Sequence, residues 1–239
     1  MTRKRAAVVL GASGSVGNAL IAELVRDGSF DPVIALSRRS IPEVVALGAR
    51  EQLVPDMNAA TLEAATLEAL RDVDEAEGFS VLGVGAGTSK LTYEQHRATD
   101  VGLNEAFAKA LKASGKVTHL GLMTAAGANP QAKSTGSGAA GMARYSRVKG
   151  EAEEAVRAHG PALVSIFRPA MIIGSQHTPW LLEKTLPLFS FATPKRFRSI
   201  SVTQIAKAMI AAAKTHPAAS TVNHYPEMIA LINGPSAQP

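Results

Sequence analysis

Tyr145 and Lys149 stand four residues apart in Tyr145-Ser-Arg-Val-Lys149. On a helix that spacing puts both side chains on one face, so the phenol and the ammonium enter the same space. A positive charge beside a phenol favours its ionised form, which makes the hydroxyl a usable proton donor or acceptor. The plain alternative is a Tyr stem packed on a Lys stem at the surface. A second group bears on that choice. Gly11-Ala-Ser-Gly14-Ser-Val-Gly17 directly follows an apolar run, residues 6–10, and opens an amphipathic one. Gly11 permits a tight turn, Gly14 lets the backbone approach a pyrophosphate, and Gly17 allows close helix–strand packing. The amide groups of a helix start, here around Ser15 and Val16, attract phosphate, and the Ser13 and Ser15 hydroxyls add donors. A purely structural turn is the alternative. The strand–turn–helix context favours a dinucleotide site.

About twenty residues further on, a fold selective for NAD offers Asp or Glu to the ribose hydroxyls. This chain offers Ser37-Arg38-Arg39 instead. A carboxylate would repel the extra phosphate of NADP, whereas arginine can grip it with paired hydrogen bonds. A solvated basic turn is the other use of such a pair. The expected cofactor is NADP(H).

The elements that must position these groups follow from an alternation of short apolar runs and helical periodicity. Buried strands are predicted over 6–10, 32–37, 50–54, 79–83, 117–123 and 162–167. Between them lie predicted helices over 16–26, 93–113 and 142–159, with Gly28, Gly115 and Gly160 as left-handed terminators. Thr92 with Gln95, and Ser201 with Gln204, have capping-box spacing, and a last helix is predicted over 202–215. This alternation predicts an α/β, doubly wound parallel sheet with right-handed crossovers. Ser134 to Gly141 reads as a small loop preceding the helix of Tyr145. From Gly174 the rhythm breaks, with Pro179, Trp180, Pro187, Phe189, Phe191, Pro194 and Phe197 close together. Residues 174–200 are expected to form a small C-terminal substrate lobe at the carboxyl edge of the sheet, within one 1–239 Rossmann domain. The aromatics can line an apolar substrate pocket, pack on the sheet, or form a dimer contact.

Composition removes other classes. The chain has 239 residues, 46% hydrophobic and 19% charged, so it can bury a core unaided. With no Cys, it has no disulfide, thiolate nucleophile or Cys-ligated metal. The six His (His96, His119, His159, His177, His216, His224) show no metal-site spacing, so no metal is expected. No apolar run approaches a membrane span. The formal charge of +5 is dispersed, its densest cluster being Arg3-Lys4-Arg5, and aromatics are only 5%, so neither nucleic acid nor a membrane is an expected partner. The apolar run 6–10 is too short for a signal peptide's core, and a cytoplasmic location is expected.

The 11–17 loop, Tyr145 with Lys149, and Phe167-Arg168-Pro169-Ala-Met-Ile-Ile-Gly174 together resemble the short-chain dehydrogenase/reductase superfamily over about residues 5 to 215. Leu36-Ser-Arg-Arg39, Leu120-Gly-Leu-Met-Thr-Ala-Ala-Gly127 and Tyr-Ser-Arg-Val-Lys-Gly-Glu151 are most similar to its atypical branch, in the subgroup of Tat-interacting, oxidoreductase-like proteins. The resemblance implies a third catalytic residue, Thr124, whose hydroxyl would bond a substrate carbonyl while Tyr145 passes a proton and Lys149 holds the nicotinamide ribose. Ser is commoner at that place, and Met123 replaces a neighbouring Ser of many relatives. It further implies that Gly83, Val84 and Gly85 run along the ribose and pyrophosphate and that Asp56 and Met57 face adenine. Pro169, Ala170, Met171 and Ile172 would border the nicotinamide. Asp100 would be a structural partner of the site. The expected function is an NADP(H)-dependent oxidoreductase that interconverts a carbonyl and an alcohol on a small-molecule substrate, with a homodimer as the assembly. The alternative is an NADP(H)-binding regulator or scaffold with little catalysis.

Overall fold

The computed structural model of the chain describes residues 5–133, 139–174, 194–215 and 217–234. Strand β1 (Arg5–Leu10) leads through helix α1 (Ser15–Asp27) to β2 (Phe30–Ser37), then α2 (Pro42–Ala46), β3 (Arg50–Leu53) and α3 (Ala59–Ala69). The chain then returns to the middle with β4 (Ala76–Ser80), a 3-10 segment (Gly85–Lys90), α4 (Tyr93–Arg97), a π-helical turn (Ala98–Leu103) and α5 (Asn104–Ala113). There follow β5 (Val117–Met123), α6 (Ala139–His159), β6 (Leu163–Phe167), β7 (Met171–Ile173), a second 3-10 turn (Lys195–Phe197) and β8 (Ser199–Ser201). Helix α7 (Val202–Lys214), β9 (Thr221–Asn223) and α8 (Tyr225–Asn233) complete the described chain.

Seven strands form one parallel sheet in the order β3-β2-β1-β4-β5-β6-β9, and β7 and β8 form a separate parallel ribbon. The winding reverses between β1 and β4, and a crevice opens at the carboxyl ends of strands at such a reversal. The pleat sends alternate residues of β1 to opposite faces. Ala7 and Val9 join Leu20, Ile21, Ile205 and Met209 under α1 and α7, while Ala6, Val8 and Leu10 join Phe107, Leu111 and Leu62 under α3 and α5. Both faces are covered, which is why the strands read as continuous apolar runs. Each fully buried Leu or Phe contributes about 1.5–3 kcal/mol.

Two differences from the sequence reading bear on the site. The fourth strand is Ala76–Ser80, not 79–83. Its start carries Glu77, which is buried because Arg5 and His119 both bond it, the latter through Nδ1 at 3.0 Å. A charged residue hid the strand, and the 81–83 stretch is the turn that leaves it. The predicted helix 93–113 is three pieces, because the π turn inserts a wider loop of backbone. Asn104 Nδ2 donates to the Asp100 carbonyl at 2.7 Å across that turn, and Asn104 Oδ1 accepts from the Ser80 hydroxyl. Helices α3 and α8 and strand β9 are additions, and α6 begins at Ala139, inside the predicted 134–141 loop.

Of the substrate lobe, residues 175–193 lie outside the described residues, and with them His177, Pro179, Trp180, Pro187, Phe189 and Phe191. The ribbon joins the segments that flank it, pairing Ile172 with Ile200.

Candidate active site

The turn after β1 is built by two glycines that no other residue could replace without displacing backbone. Gly11 has φ +92, and a Cβ there would lie 2.7 Å from the Leu82 nitrogen. A Cβ on Gly17 would lie 2.1 Å from the Gly11 carbonyl oxygen, so α1 packs directly on the turn. Gly14 precedes α1, its N–H donating to the Gly11 carbonyl at 3.1 Å, and no side chain caps the helix there. Above this turn opens a cavity of about 450 Å³ at the carboxyl ends of β1, β2 and β4. Gly11, Ser13 and Gly14 line it with Ser37, Arg38, Met57, Gly83 and Val84, as the sequence reading expects. Leu36, Val81, Leu82, Thr99 and Leu103 complete its walls and were not foreseen. Ser15, Val16 and Gly17 lie in the first turn of α1 and do not line it.

A second hollow of about 280 Å³ shares Ser13, Ser37 and Arg38 and adds Arg39, Ser40 and Ile41. The Ser37 hydroxyl donates to the Arg39 carbonyl at 2.8 Å, which fixes the turn. Both guanidinium groups are exposed, and neither makes a hydrogen bond or ion pair among the described residues. Asp56 does not reach either hollow: its side chain is exposed and its carbonyl accepts from Asn58 and Thr61 at the start of α3. Gly85 has φ +60 and begins the 3-10 segment beyond the cavity.

Lys149 lies on α6 and lines neither hollow. Its ammonium is buried and sits 2.8 Å from Asp100 Oδ2, and a Cβ on Gly83 would come within 2.6 Å of its Nζ. The lysine therefore backs onto Gly83, which lines the larger cavity. Asp100 Oδ1 accepts from the Val84 N–H at 2.9 Å, and its Oδ2 lies 3.3 Å from His96 Nε2. Burial works to raise the Asp100 pKa, but the Lys149 charge and the His96 and Lys149 hydrogen bonds outweigh it and hold it at about 2. Burial likewise works to lower the Lys149 pKa, and the Asp100 carboxylate overcomes it and raises the value above that of an ordinary lysine. The predicted Tyr145–Lys149 pairing forms: Nζ lies 5.6 Å from the centre of the tyrosine ring. Tyr145 is half-buried and stacks on His96, centroids 6.0 Å apart.

Thr124 lies after the fifth strand, as expected, but its hydroxyl has a partner that was not foreseen. It directly follows β5 and is only 4% exposed, and its hydroxyl donates to Glu153 Oε1 at 2.6 Å. Glu153 is itself held by Arg168, whose Nε donates to Oε1 at 2.9 Å and whose Nη2 donates to Oε2. Residues 145, 149 and 153 form one stripe of α6, so Thr124 serves the turn beyond Lys149. To bond a substrate carbonyl, its O–H would have to leave Glu153. Pro169 to Ile172 follow β6 and line neither hollow; the Ala126 N–H donates to the Pro169 carbonyl at 2.9 Å, and Met171 is exposed. Glu153, Arg168 and His96 escaped the sequence reading. The i, i+4 spacing of His96 with Asp100 and of Lys149 with Glu153 was the available signal.

Comparisons with known proteins bear on the family and the fold. A family described as NAD(P)H-binding matches residues 11–216. The mitochondrial protein FMP52 of Candida glabrata is 30% identical over 176 residues, which is 72% of this chain and 66% of that protein. The chain thus spans about two thirds of that relative's length. Among solved structures, MoeE5 in complex with UDP-glucose and NAD superposes with a TM-score of 0.64 at 14% identity, covering 94% of this chain and 80% of that one. ChuY, an anaerobillin reductase from Escherichia coli O157:H7, gives 0.60 at 17% identity, over 90% and 94% of the two chains. At such identities the likeness speaks for the fold. Among the described residues, no helix is long and apolar enough to cross a membrane.

Proposed function

The chain belongs to the NAD(P)H-binding family, and from that premise we propose an NADP(H)-dependent oxidoreductase of short-chain dehydrogenase/reductase type. Its reaction interconverts a carbonyl and an alcohol on a small organic substrate. The observation that carries this reading is the continuity of the site. The Lys149 ammonium lies against Gly83, which lines the same cavity as Arg38. The close Gly11 and Gly17 packing leaves open backbone where a pyrophosphate would lie, and the hollow at Arg38 and Arg39 suits the additional phosphate of NADP.

When bound, the nicotinamide supplies or receives the hydride. Tyr145 gives its hydroxyl proton to the carbonyl oxygen on reduction and takes one back on oxidation. Lys149 places positive charge beside the phenol, and to hold the ribose as well its ammonium would have to reach past Gly83. Arg38 and Arg39 hold the terminal phosphate. Purified protein assayed with NADPH against a panel of aldehydes and ketones tests the reaction. Tyr145→Phe is expected to lower turnover about 10²–10⁴-fold while NADPH binding persists. Unchanged turnover would remove Tyr145 from the acid–base role.

One observation favours a second reading, a cofactor-binding regulator. The Thr124 hydroxyl is engaged by Glu153, so it is not free to polarise a carbonyl beside Tyr145. Absence of any turnover, together with a partner protein whose binding changes with NADPH, would select it.

A further inference from the structure

The chain's positive excess has one source. Residues 184–226 contain six Lys and Arg and no Asp or Glu. The remainder holds 19 basic and 20 acidic residues, so the whole excess of +5 arises in this stretch. Three of the six cations stand together in Lys195-Arg196-Phe197-Arg198, the second 3-10 turn and the residue that leads it into β8. None of the three makes an ion pair among the described residues, whereas Lys214, further along, is paired with Asp27 at 2.8 Å.

The same turn carries an apolar side chain in an unusual place. Phe197 is 41% exposed, while Phe30, Phe79, Phe107 and Phe167 are all buried. The Arg196 guanidinium lies over its ring, 4.6 Å from the centre, so ring and charge form one amphipathic unit. Met171 on β7 is also exposed and pairs with Ser199, on the strand that the turn feeds. The ribbon behind them is fastened down, since Ile200 is buried in the core and Ile172 packs against it. The result is an apolar tip ringed by unpaired cations on a fixed base. A patch of one turn leaves no mark in a search for apolar spans.

The chemistry of the tip selects what it fits. A second copy of the patch in a two-fold interface would set three cations against three. A nucleic acid would answer the charges but offers nothing to Met171. An anionic lipid surface answers both: the headgroups take the cations, the acyl boundary takes Phe197 and Met171, and the Lys and Arg stems reach back to the phosphates. We propose that the Lys195–Arg198 turn, with Met171 on the adjoining strand, docks the protein on an anionic phospholipid surface. The contact is peripheral, lies in the headgroup region and needs no spanning helix. It is independent of the oxidoreductase reading, because none of these residues lines either hollow.

The test is flotation of the full chain with vesicles of phosphatidylcholine alone or with about 30% phosphatidylserine added. Each cation near such a surface is worth about fivefold in partitioning, so the mixed vesicles should hold the protein about 10²-fold more strongly than the neutral ones. Lys195→Ala, Arg196→Ala and Arg198→Ala together should remove that margin. Removing three exposed cations elsewhere, with Arg50→Ala, Lys112→Ala and Arg157→Ala, should leave most of it. Phe197→Ser should weaken binding about tenfold, a loss that added salt does not reproduce. Equal affinity for the two vesicle types overturns the proposal. So does an equal loss in the two triple variants, which would assign the attraction to net charge alone. Binding to duplex DNA in place of vesicles, indifferent to Phe197→Ser, overturns it in favour of a nucleic-acid surface. Should the Lys195–Arg198 triple variant not fold, Phe197→Ser decides, and unchanged binding to the mixed vesicles overturns the proposal.

Discussion

Arg38 and Arg39 stand in solvent with no partner among the described residues, whereas Lys149, behind Gly83, is buried and tied to Asp100. The same sign of charge is handled in opposite ways. An exposed guanidinium keeps its hydration and loses little by waiting, and it gains two directed hydrogen bonds when a phosphate arrives. An enclosed ammonium cannot wait, since without Asp100 it would give up its proton or open the structure. The first arrangement leaves its binding energy to the ligand. The second spends it within the protein to hold a geometry.

The contrast can be broken by substitution. Lys149→Met leaves Asp100 buried without its counter-charge, and loss of one partner of such a pair costs about 3–5 kcal/mol. Urea denaturation should show that loss, whereas Arg38→Ala or Arg39→Ala should change stability by no more than about 0.5 kcal/mol. Equal effects in the two cases would mean that burial does not distinguish them.

A smaller effect is expected from pH. The Asp100 pKa is held at about 2 in the folded chain against 3.8 ordinarily. A depressed carboxylate contributes stability that is fully present above the unfolded value and is lost as pH falls through the folded one. The window therefore runs from about pH 4 down to about pH 2, and the contribution is about 2 kcal/mol. Lys149→Met should abolish this acid-labile component when stability is measured across that window. Its persistence would assign the component to other carboxylates.

How far these arrangements could be read from residue order depends on how locally each is encoded. The glycine turn lies within seven consecutive positions and follows β1, and its packing role matches the expectation at Gly11 and Gly17. The strand over 117–123 was legible at both ends because both faces of the sheet are covered. The start of β4 was not, since Glu77 looks like a surface residue until Arg5 and His119 are brought to it by neighbouring strands. The partner of Thr124 was hidden for the same reason: Glu153 lies 29 residues further along the chain. The Asp100–Lys149 pair spans two helices and a π turn, and a π turn leaves no trace in hydrophobic periodicity.

The central claim, a site shaped for NADP(H), is tested most directly by calorimetric titration of the wild-type protein with NADPH and with NADH. The arginine hollow predicts tighter binding of NADPH, by about 10–100-fold, since a charge-assisted contact is worth about 1.5–3 kcal/mol. The double variant Arg38→Ala, Arg39→Ala should erase that margin and leave NADH binding as it was. Equal or tighter binding of NADH by the wild type would contradict the account.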